Sequence, residues 1–295
     1  MAFVARAADD IAFDLRGEPE MNNYDEPKID CHNHIFDPTR FPYAASVHYR
    51  PAGQEVGDAG LFHHVLDAYG VRYALVVGPN SGYGLDNRCL LDAIATSNGR
   101  FKGIAVVRND IARSDLEALK AAGIVGVSFN VAFLGVEHYA DAEPLLALLA
   151  DLDMFVQVQV EHDQLSPLAA MLERSGARIL VDHCGRPTPE AGPRQPGFRT
   201  LLGLARTRRA TVKISGQVKF SRLPYPHADT LPFVRALIDA FTLDACVWGS
   251  DWPFLRVAQR VDYGALLKLV ENLLPDASDR RRLLWDTPRR LFGFP

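Results

Sequence analysis

The sequence predicts an α/β protein with the architecture of a distorted (β/α)8 TIM barrel. Two observations support this fold. Short runs rich in Val and Ile recur along the 295-residue chain and are apolar almost throughout, which is typical of parallel strands covered on both faces. Segments with apolar residues at helical spacing lie between these runs, and such an alternation is the pattern of a parallel barrel surrounded by helices.

The eight predicted strands follow one another at regular intervals. They cover residues 28–32, 72–77, 101–107, 124–130, 154–160, 178–181, 211–215 and 245–249. Gly70 and Gly123 directly follow predicted helices, where a glycine in the left-handed conformation commonly ends a helix. Helical spacing returns after the last strand, over residues 276–292, and predicts an extra C-terminal helix.

Residues 28–295 show no linker-like change in composition, so they are predicted to form a single barrel domain. Residues 1–27 are polar and lack sustained periodicity, which predicts an N-terminal arm or tail. The segments 36–58 and 216–229 are predicted to be long loops that follow strands. Because such loops build the active site of a barrel, both are candidates for covering a pocket.

Composition and charge narrow the classes of function. The net charge of −4 and the absence of a basic run argue against a nucleic-acid-binding surface. No apolar run approaches the length of a membrane span, and Asp9 and Asp10 interrupt any signal-peptide core, so no membrane association is expected. The four cysteines are far apart and are interpreted as reduced thiols of a cytoplasmic protein. Assembly into a homo-oligomer stays open.

Three histidines and one aspartate follow predicted strands. His32 and His34 end the first strand, His183 follows the sixth and Asp251 follows the eighth. Side chains two apart in a strand share a face, and the strand ends of a closed barrel meet at one mouth. The set suits the addition of water to an electrophilic carbon, with Asp251 as the base. The histidines either bind a metal that polarises a carbonyl or donate to the developing oxyanion.

Further polar residues at strand ends and in the long loops are candidate substrate-binding residues. They are Tyr49, Asn130, Gln159, Arg186, Lys219 and Trp252. The cationic groups among them suggest an anionic substrate. Trp252 either forms a wall of the pocket or fills the barrel mouth. Asp30 either orients a histidine or makes a structural contact.

Four motifs resemble the amidohydrolase superfamily, specifically its amidohydrolase 2 branch. They are D-C-H-N-H-I-F at 30–36, V-D-H-C-G-R-P at 181–187, W-G-S-D-W-P at 248–253 and W-D-T-P-R-R-L-F-G-F at 285–294. Within the branch, the sequence is most similar to the 2-pyrone-4,6-dicarboxylate lactonases and to their relatives that act on sugar-acid lactones. The resemblance implies a barrel enzyme that hydrolyses a lactone. In that reading Asp251 is the base, and His32, His34 and His183 polarise the carbonyl.

The sequence departs from the family's metal pattern. Superfamily members with two metals carry a lysine or glutamate on the fourth strand and a histidine on the fifth. Here those strands offer Ser128 or Asn130 and Gln157 or Gln159. The resemblance therefore implies either no required cofactor or a single divalent ion, zinc or manganese. The ligands of such an ion would be His32, His34, His183 and Asp251.

A second departure concerns the substrate. The pyrone-dicarboxylate lactonases hold the substrate carboxylates with arginines around the end of the fourth strand, where this chain has Ser128 and Leu134. Each missing clamp removes a charge-assisted contact, so the expected substrate has one carboxylate at most, or is a neutral lactone that presents hydroxyls to Asn130 and Gln159. The prediction is a metal-optional lactonase that opens a small sugar-acid or pyrone/muconate-type lactone. The alternatives are a metal-dependent decarboxylase of the same branch and a lactone isomerase.

Overall fold

The structure, a computed structural model, describes residues 26–295. Its eight strands are all parallel and lie in one sheet in the order in which they occur along the chain. Helices surround the sheet, and the predicted (β/α)8 barrel is confirmed. The N-terminal arm expected over residues 1–27 lies outside the described residues except for residues 26 and 27.

The strands agree with the predicted runs to within two residues at each end. They are β1 (Lys28–Asn33), β2 (Val71–Val77), β3 (Phe101–Ala105), β4 (Ile124–Asn130), β5 (Phe155–Gln159), β6 (Arg178–Val181), β7 (Ala210–Ile214) and β8 (Cys246–Trp248). Strand β3 ends earlier than predicted, because the Val106 backbone N–H donates to Asn87 Oδ1 (3.0 Å) and leaves the ladder. Gly70 and Gly123 have φ values of 64° and 97°, which confirms the predicted helix ends.

Thirteen α-helices lie between and after the strands of the described chain. They are α1 (Ala59–Ala68), α2 (Asn80–Tyr83), α3 (Arg88–Thr96), α4 (Arg113–Ala121), α5 (Val131–Leu134), α6 (Glu143–Asp151), α7 (Ala169–Arg174), α8 (Pro196–Leu204), α9 (Gln217–Phe220), α10 (Leu231–Phe241), α11 (Tyr263–Leu273), α12 (Ala277–Arg281) and α13 (Thr287–Phe292). None of the helices in this part of the chain is long and apolar enough to cross a membrane.

The extra C-terminal segment closes the bottom of the barrel. It forms α12 and α13 joined by a π-helical turn, whereas one continuous helix was predicted. Phe292 and Phe294 are buried in the same apolar cluster as Ile29 and Phe155, which lie on β1 and β5. Lys102 Nζ donates to the carbonyl oxygens of Phe292 (2.7 Å) and Gly293 (2.8 Å), and so satisfies acceptors at the end of α13.

The top of the barrel closes where the candidate residues lie. An isolated parallel bridge joins Asn33, at the end of β1, to Trp252, which follows β8. The Asp251 N–H donates to the His32 carbonyl (2.7 Å), and the His34 N–H donates to the Trp252 carbonyl (2.8 Å). Backbone hydrogen bonds therefore fix the position of Asp251 relative to the two histidines.

Candidate active site

Three imidazoles converge on one carboxylate oxygen at the barrel mouth. The Nε2 atoms of His32 and His34 both lie 3.7 Å from Asp251 Oδ1, and His183 Nε2 lies 3.8 Å from it. His32, His183 and Asp251 are buried, while His34 is partly exposed. The strand ends thus bring together the histidines and the aspartate that the sequence places far apart.

The second nitrogens of two of these histidines are held by the barrel. His34 Nδ1 lies 2.8 Å from the Val77 carbonyl at the end of β2. His183 Nδ1 lies 3.0 Å from Ser215 Oγ, directly after β7. A carbonyl only accepts, so His34 carries its proton on Nδ1 when neutral, and its Nε2 lone pair points toward the mouth.

His32 lies above a buried polar network. Its Nδ1 atom is 3.0 Å from Lys213 Nζ and 3.2 Å from Asp182 Oδ1. Lys213 Nζ also donates to Gln157 Oε1 (2.6 Å) and contacts Asp182 Oδ1 (3.0 Å), while Gln157 Nε2 donates to Asp182 Oδ2 (2.8 Å). Lys213, Gln157 and Asp182 have no exposed surface. This closed set of contacts determines how His32 is presented to the mouth.

The network allows two proton arrangements on His32. An ammonium at Lys213 has three protons, and Gln157, Asp182 and His32 Nδ1 offer three acceptors within reach. In that arrangement the imidazole proton sits on Nε2 and points toward Asp251. If Nδ1 instead donates to Asp182, the Nε2 lone pair faces the mouth, as a metal ligand requires.

Asp30 belongs to the frame of the barrel. Its carboxylate accepts from the His32 N–H (3.1 Å), from the Ser250 N–H (3.0 Å) and hydroxyl (2.6 Å), and from the Tyr263 hydroxyl (2.9 Å). It contacts no ring nitrogen of a histidine in these bonds. Of its two predicted roles, the structure therefore shows the structural one, which ties β1 to the residues after β8 and to α11. The carboxylate that approaches a histidine ring is Asp182.

Several candidate residues occupy left-handed backbone. The φ values are 50° for His183, 43° for Arg186, 60° for Asp251 and 52° for Arg256. Non-glycine residues pay about 1–3 kcal/mol for such conformations, which persist where the surroundings hold them. Short backbone bonds do so here, including Arg186 N–H to the His183 carbonyl (2.9 Å) and Asp251 N–H to the His32 carbonyl (2.7 Å).

Lys219 decides the charge state of Asp251. Its ammonium lies 3.0 Å from Asp251 Oδ2, the oxygen that the histidines do not face, and it also donates to the Leu255 carbonyl. Although burial acts to raise the pKa of Asp251, Lys219 and His183 hold that pKa well below its usual range. Asp251 is therefore ionised at neutral pH.

Burial keeps two of the histidines neutral. It lowers the pKa of His32 to about 4, and the neighbouring Lys213 acts in the same direction. Burial also lowers the pKa of His183 well below its usual value, with a further contribution from His32. At neutral pH these rings are neutral imidazoles, each with one N–H and one lone pair.

The predicted substrate-binding residues divide into two groups. Asn130, Gln159, Arg186 and Lys219 line a cavity of about 360 Å³ together with His34, His183 and Asp251. Tyr49 and Trp252 do not line this cavity. The Tyr49 hydroxyl donates to Glu55, and the buried Trp252 ring stacks on Phe62 with 4.7 Å between ring centroids. Trp252 therefore fills space beside the mouth, the second of its two expected roles.

Sequence reasoning did not assign Asp182, Lys213 or Arg256 to the site. Asp182 directly precedes His183, and Lys213 is the one charged residue of β7, so a lysine within an apolar strand was the available signal. Arg256 lies in the loop after β8 and lines the cavity. No feature of the sequence distinguishes it from the other loop arginines.

The donor set fits a single divalent ion. His32, His183 and Asp251 offer ligand atoms within 4.8 Å of one another. His32 Nε2 is buried and has no hydrogen-bond partner, as expected for an atom that a ligand or substrate completes. Two imidazoles and a carboxylate are ordinary ligands for zinc. The residues are therefore compatible with one metal as well as with direct contact to a substrate.

The barrel carries one buried carboxylate and three imidazoles at its mouth, an arrangement typical of hydrolytic enzymes with a (β/α)8 fold. The amidohydrolase family pattern matches residues 29–294, and the chain belongs to that family. The resemblance read from the four motifs is thereby confirmed.

Proteins of known activity match most of the chain. A 4-sulfomuconolactone hydrolase from Hydrogenophaga intermedia is 32% identical over 274 residues, which is 90% of this chain and 88% of that protein. A 2-pyrone-4,6-dicarboxylate hydrolase from Comamonas testosteroni is 28% identical over 281 residues, 90% of this chain and 89% of that protein. A crystal structure of a probable 2-pyrone-4,6-dicarboxylic acid hydrolase from Acinetobacter baumannii, with citric acid bound, superposes with a TM-score of 0.83 at 27% identity. That match covers 93% of this chain and 100% of the other.

Proposed function

We propose that this protein is a lactonase that hydrolyses the ring ester of a small lactone of the sugar-acid or pyrone/muconate type. The observation that carries the proposal is the convergence of three histidine Nε2 atoms on Asp251 Oδ1, at 3.7–3.8 Å, at the base of the cavity that Asp251 lines. The lactone hydrolases among the relatives, which match about 90% of the chain, support the same reaction class.

Asp251 is the proposed base. It is ionised at neutral pH and faces the mouth through Oδ1, so it can accept a proton from a water molecule placed beside the lactone carbonyl. The water oxygen forms a bond to the carbonyl carbon, and the ring C–O bond then breaks. The proton held by Asp251, or by His183 in its place, passes to the leaving ring oxygen. The net change is addition of one water and release of a hydroxy acid.

The histidines are proposed to polarise the carbonyl. His32 with its proton on Nε2 is a fixed donor in a buried position, and such a donor stabilises negative charge that develops on the carbonyl oxygen. His183 is held by Ser215 and supplies a second ring nitrogen at the same point. His34 carries an Nε2 lone pair toward the mouth when neutral, so this ring instead accepts a hydrogen bond from the attacking water.

We further propose that turnover does not require a metal, because the Lys213 contact to His32 Nδ1 favours the donor form of this ring over the ligand form. A divalent ion, when bound, would be held by His32, His183 and Asp251 and would act as a Lewis acid on the carbonyl. A cytoplasmic location is part of the proposal, and the four free, buried cysteines support it. Assembly into a homo-oligomer stays a prediction.

The Asp251→Asn substitution tests the mechanism. It keeps the shape of the side chain but removes the base, and loss of a positioned base typically costs about 10²–10⁴-fold in rate. Hydrolysis is measured with a pH indicator on a panel of sugar-acid and muconate-type lactones, and NMR identifies the products. Asp110→Asn is the matched control, because Asp110 lies in the neighbouring cleft and is paired with Arg108.

The expected result is loss of hydrolysis in Asp251→Asn, with a far-ultraviolet circular dichroism spectrum that matches the wild type. Asp110→Asn is expected to keep full activity. Hydrolysis of every responsive lactone at the wild-type rate by Asp251→Asn would overturn the proposed mechanism. An NMR product that keeps the lactone ring would identify an isomerase instead.

A further inference from the structure

Three cationic side chains line the cavity at the barrel mouth: Arg186, Lys219 and Arg256. The cationic residues of the loops suggest an anionic substrate, and the charge balance of this cavity determines how many anionic groups it accepts. The question is therefore which of these cations is available to a substrate.

Two of the three are neutralised by carboxylates that line the same cavity. Arg186 Nη2 lies 3.0 Å from Glu161 Oε2, and Lys219 Nζ lies 3.0 Å from Asp251 Oδ2. A second anion at either position would compete with a carboxylate already in place. Lys219 is in addition committed to the proposed base, so its charge serves the ionisation of Asp251.

Arg256 is the third cation and has no carboxylate partner within 4.0 Å among residues 26–295. Its guanidinium lies over the Tyr49 ring, 5.3 Å from the ring centroid. Glu55 does not neutralise it, since Glu55 Oε1 accepts from the Arg256 backbone N–H (2.6 Å) and Oε2 accepts from the Tyr49 hydroxyl. Glu55 thus anchors the two loops, while the guanidinium stays free to bind a ligand.

The position of Arg256 points to the cavity. His48, on the same loop as Tyr49, also lines the cavity, and its pKa is lowered by its burial and by the Arg256 guanidinium. Tyr49 supports the guanidinium plane on one side, as an aromatic ring commonly does in an arginine clamp. A guanidinium presented in this way offers two parallel N–H groups to an oxyanion.

The neighbouring cleft disfavours a second anion. A cleft of about 1,020 Å³ opens beside the cavity and shares His48 and Phe133 with it. Four acidic side chains line this cleft, and arginines pair with two of them: Arg88 with Asp86 and Arg108 with Asp110, which leaves Glu137 and Asp141. The end of β4 presents the neutral Ser128 to both spaces. An anionic group that extends in this direction would meet carboxylates.

We propose that Arg256 is the specificity-determining clamp of this site, and that it selects lactones with a single oxyanion group, a carboxylate or a sulfonate, over neutral and dianionic lactones. This inference rests on the proposed lactonase function and adds the substrate class. It places the anion site in the loop after β8.

The test compares muconolactone with its methyl ester, which lacks the negative charge. The variants are Arg256→Gln, which removes the cation, and Arg256→Lys, which keeps it without the planar fork. Arg260→Gln is the matched control, since Arg260 lies in the same loop but pairs with Asp262 (2.7 Å) outside the cavity. The values of kcat and KM are measured for both compounds. Calorimetry then gives the Kd of each compound for two inactive proteins, Asp251→Asn alone and Asp251→Asn combined with Arg256→Gln.

Loss of a charge-assisted clamp is expected to raise KM and Kd for the acid by about 10- to 100-fold, with a small change in kcat. The values for the methyl ester should stay the same, Arg256→Lys should be intermediate, and Arg260→Gln should match wild type. Muconolactone is then compared with an analogue that carries a sulfonate in place of the carboxylate, which assigns the preferred oxyanion.

The inference would be overturned if Arg256→Gln kept the wild-type preference for the acid over the ester. It would also be overturned if the wild-type protein bound the ester as tightly as the acid, or bound neither compound. Selective binding of the acid that depends on Arg256, without hydrolysis of either compound, would support the clamp and contradict the proposed function. The two proposals are therefore separable by the same set of measurements.

Discussion

The buried pair of Lys213 and Asp182 offers a quantitative test of how the barrel supports its reaction centre. Both side chains have no exposed surface, and Lys213 Nζ lies 3.0 Å from Asp182 Oδ1. Burial acts to raise the pKa of Asp182, but Lys213 and His32 hold that pKa below its usual range. Burial lowers the pKa of Lys213, and the Asp182 carboxylate opposes that shift. Each charge is therefore maintained by its neighbours.

Replacing Lys213 with Met leaves the Asp182 carboxylate buried without its counter-charge, and we expect a loss of about 3–5 kcal/mol in the free energy of unfolding. Asp182→Asn should cost a comparable amount, because it leaves the buried Lys213 ammonium without its counter-charge, and neutralising a lysine at pH 7 costs about as much as neutralising an aspartate. The double variant removes both charges, so its loss should fall short of the sum of the single losses by about 2 kcal/mol or more.

Equilibrium unfolding in urea, followed by tryptophan fluorescence, measures all four proteins of this double-mutant cycle. The matched control is the pair Arg113 and Glu117 on α4, 3.0 Å apart and about half exposed. Its cycle, with Arg113→Met and Glu117→Gln, should give a coupling of about 0.5 kcal/mol or less. Additive losses for Lys213 and Asp182 within about 0.5 kcal/mol would refute the reasoning.

Two further predictions concern protons and metal. Between pH 7 and pH 5, the free energy of unfolding of chelator-treated protein should fall by about 2 kcal/mol more in wild type than in His32→Gln. The reason is that the pKa of His32 is about 4 in the folded protein against 6.5 ordinarily, so the unfolded chain binds the proton first and stability is lost as the pH falls below 6.5. Urea titrations at pH 7 and pH 5 measure the free energy of unfolding of both proteins, and an equal pH dependence in wild type and His32→Gln would contradict this prediction. Dialysis against a chelator, with metal removal verified by elemental analysis, should leave the rate of lactone hydrolysis within about twofold of the rate before dialysis, because fixed donors polarise the carbonyl. Activity that is lost on dialysis and restored by zinc or manganese would show a metal requirement.

The meeting of the candidate residues at one barrel mouth was predictable because these residues follow strands. His32, His34, His183 and Asp251 each occur at or just after a run whose apolar, β-branched composition marks a buried parallel strand. The topology of a closed parallel barrel then brings these ends to one mouth regardless of their distance along the chain. Periodicity and strand order were sufficient for this much.

The sequence did not predict the contacts that tune the centre. Asp30 lies two residues before His32 in the sequence, yet its carboxylate faces Ser250 and Tyr263, and Asp182 takes the place beside the His32 ring. The register shift in β1 between Asp30 and Asn33 breaks the strict alternation from which side-chain direction was read. Local irregularity of this kind is set by packing between strands.

The sequence by itself determined the barrel and placed His32, His34, His183 and Asp251 at strand ends that meet at one mouth. Only the tertiary structure decided which charges remain available. In the sequence, Arg186, Lys219 and Arg256 are three cationic residues of equal charge. In the structure, Glu161 and Asp251 neutralise the first two, and Arg256 remains available to a ligand. Ion pairing depends on distances of a few ångströms between loops that are remote in sequence, and no local pattern encodes those distances.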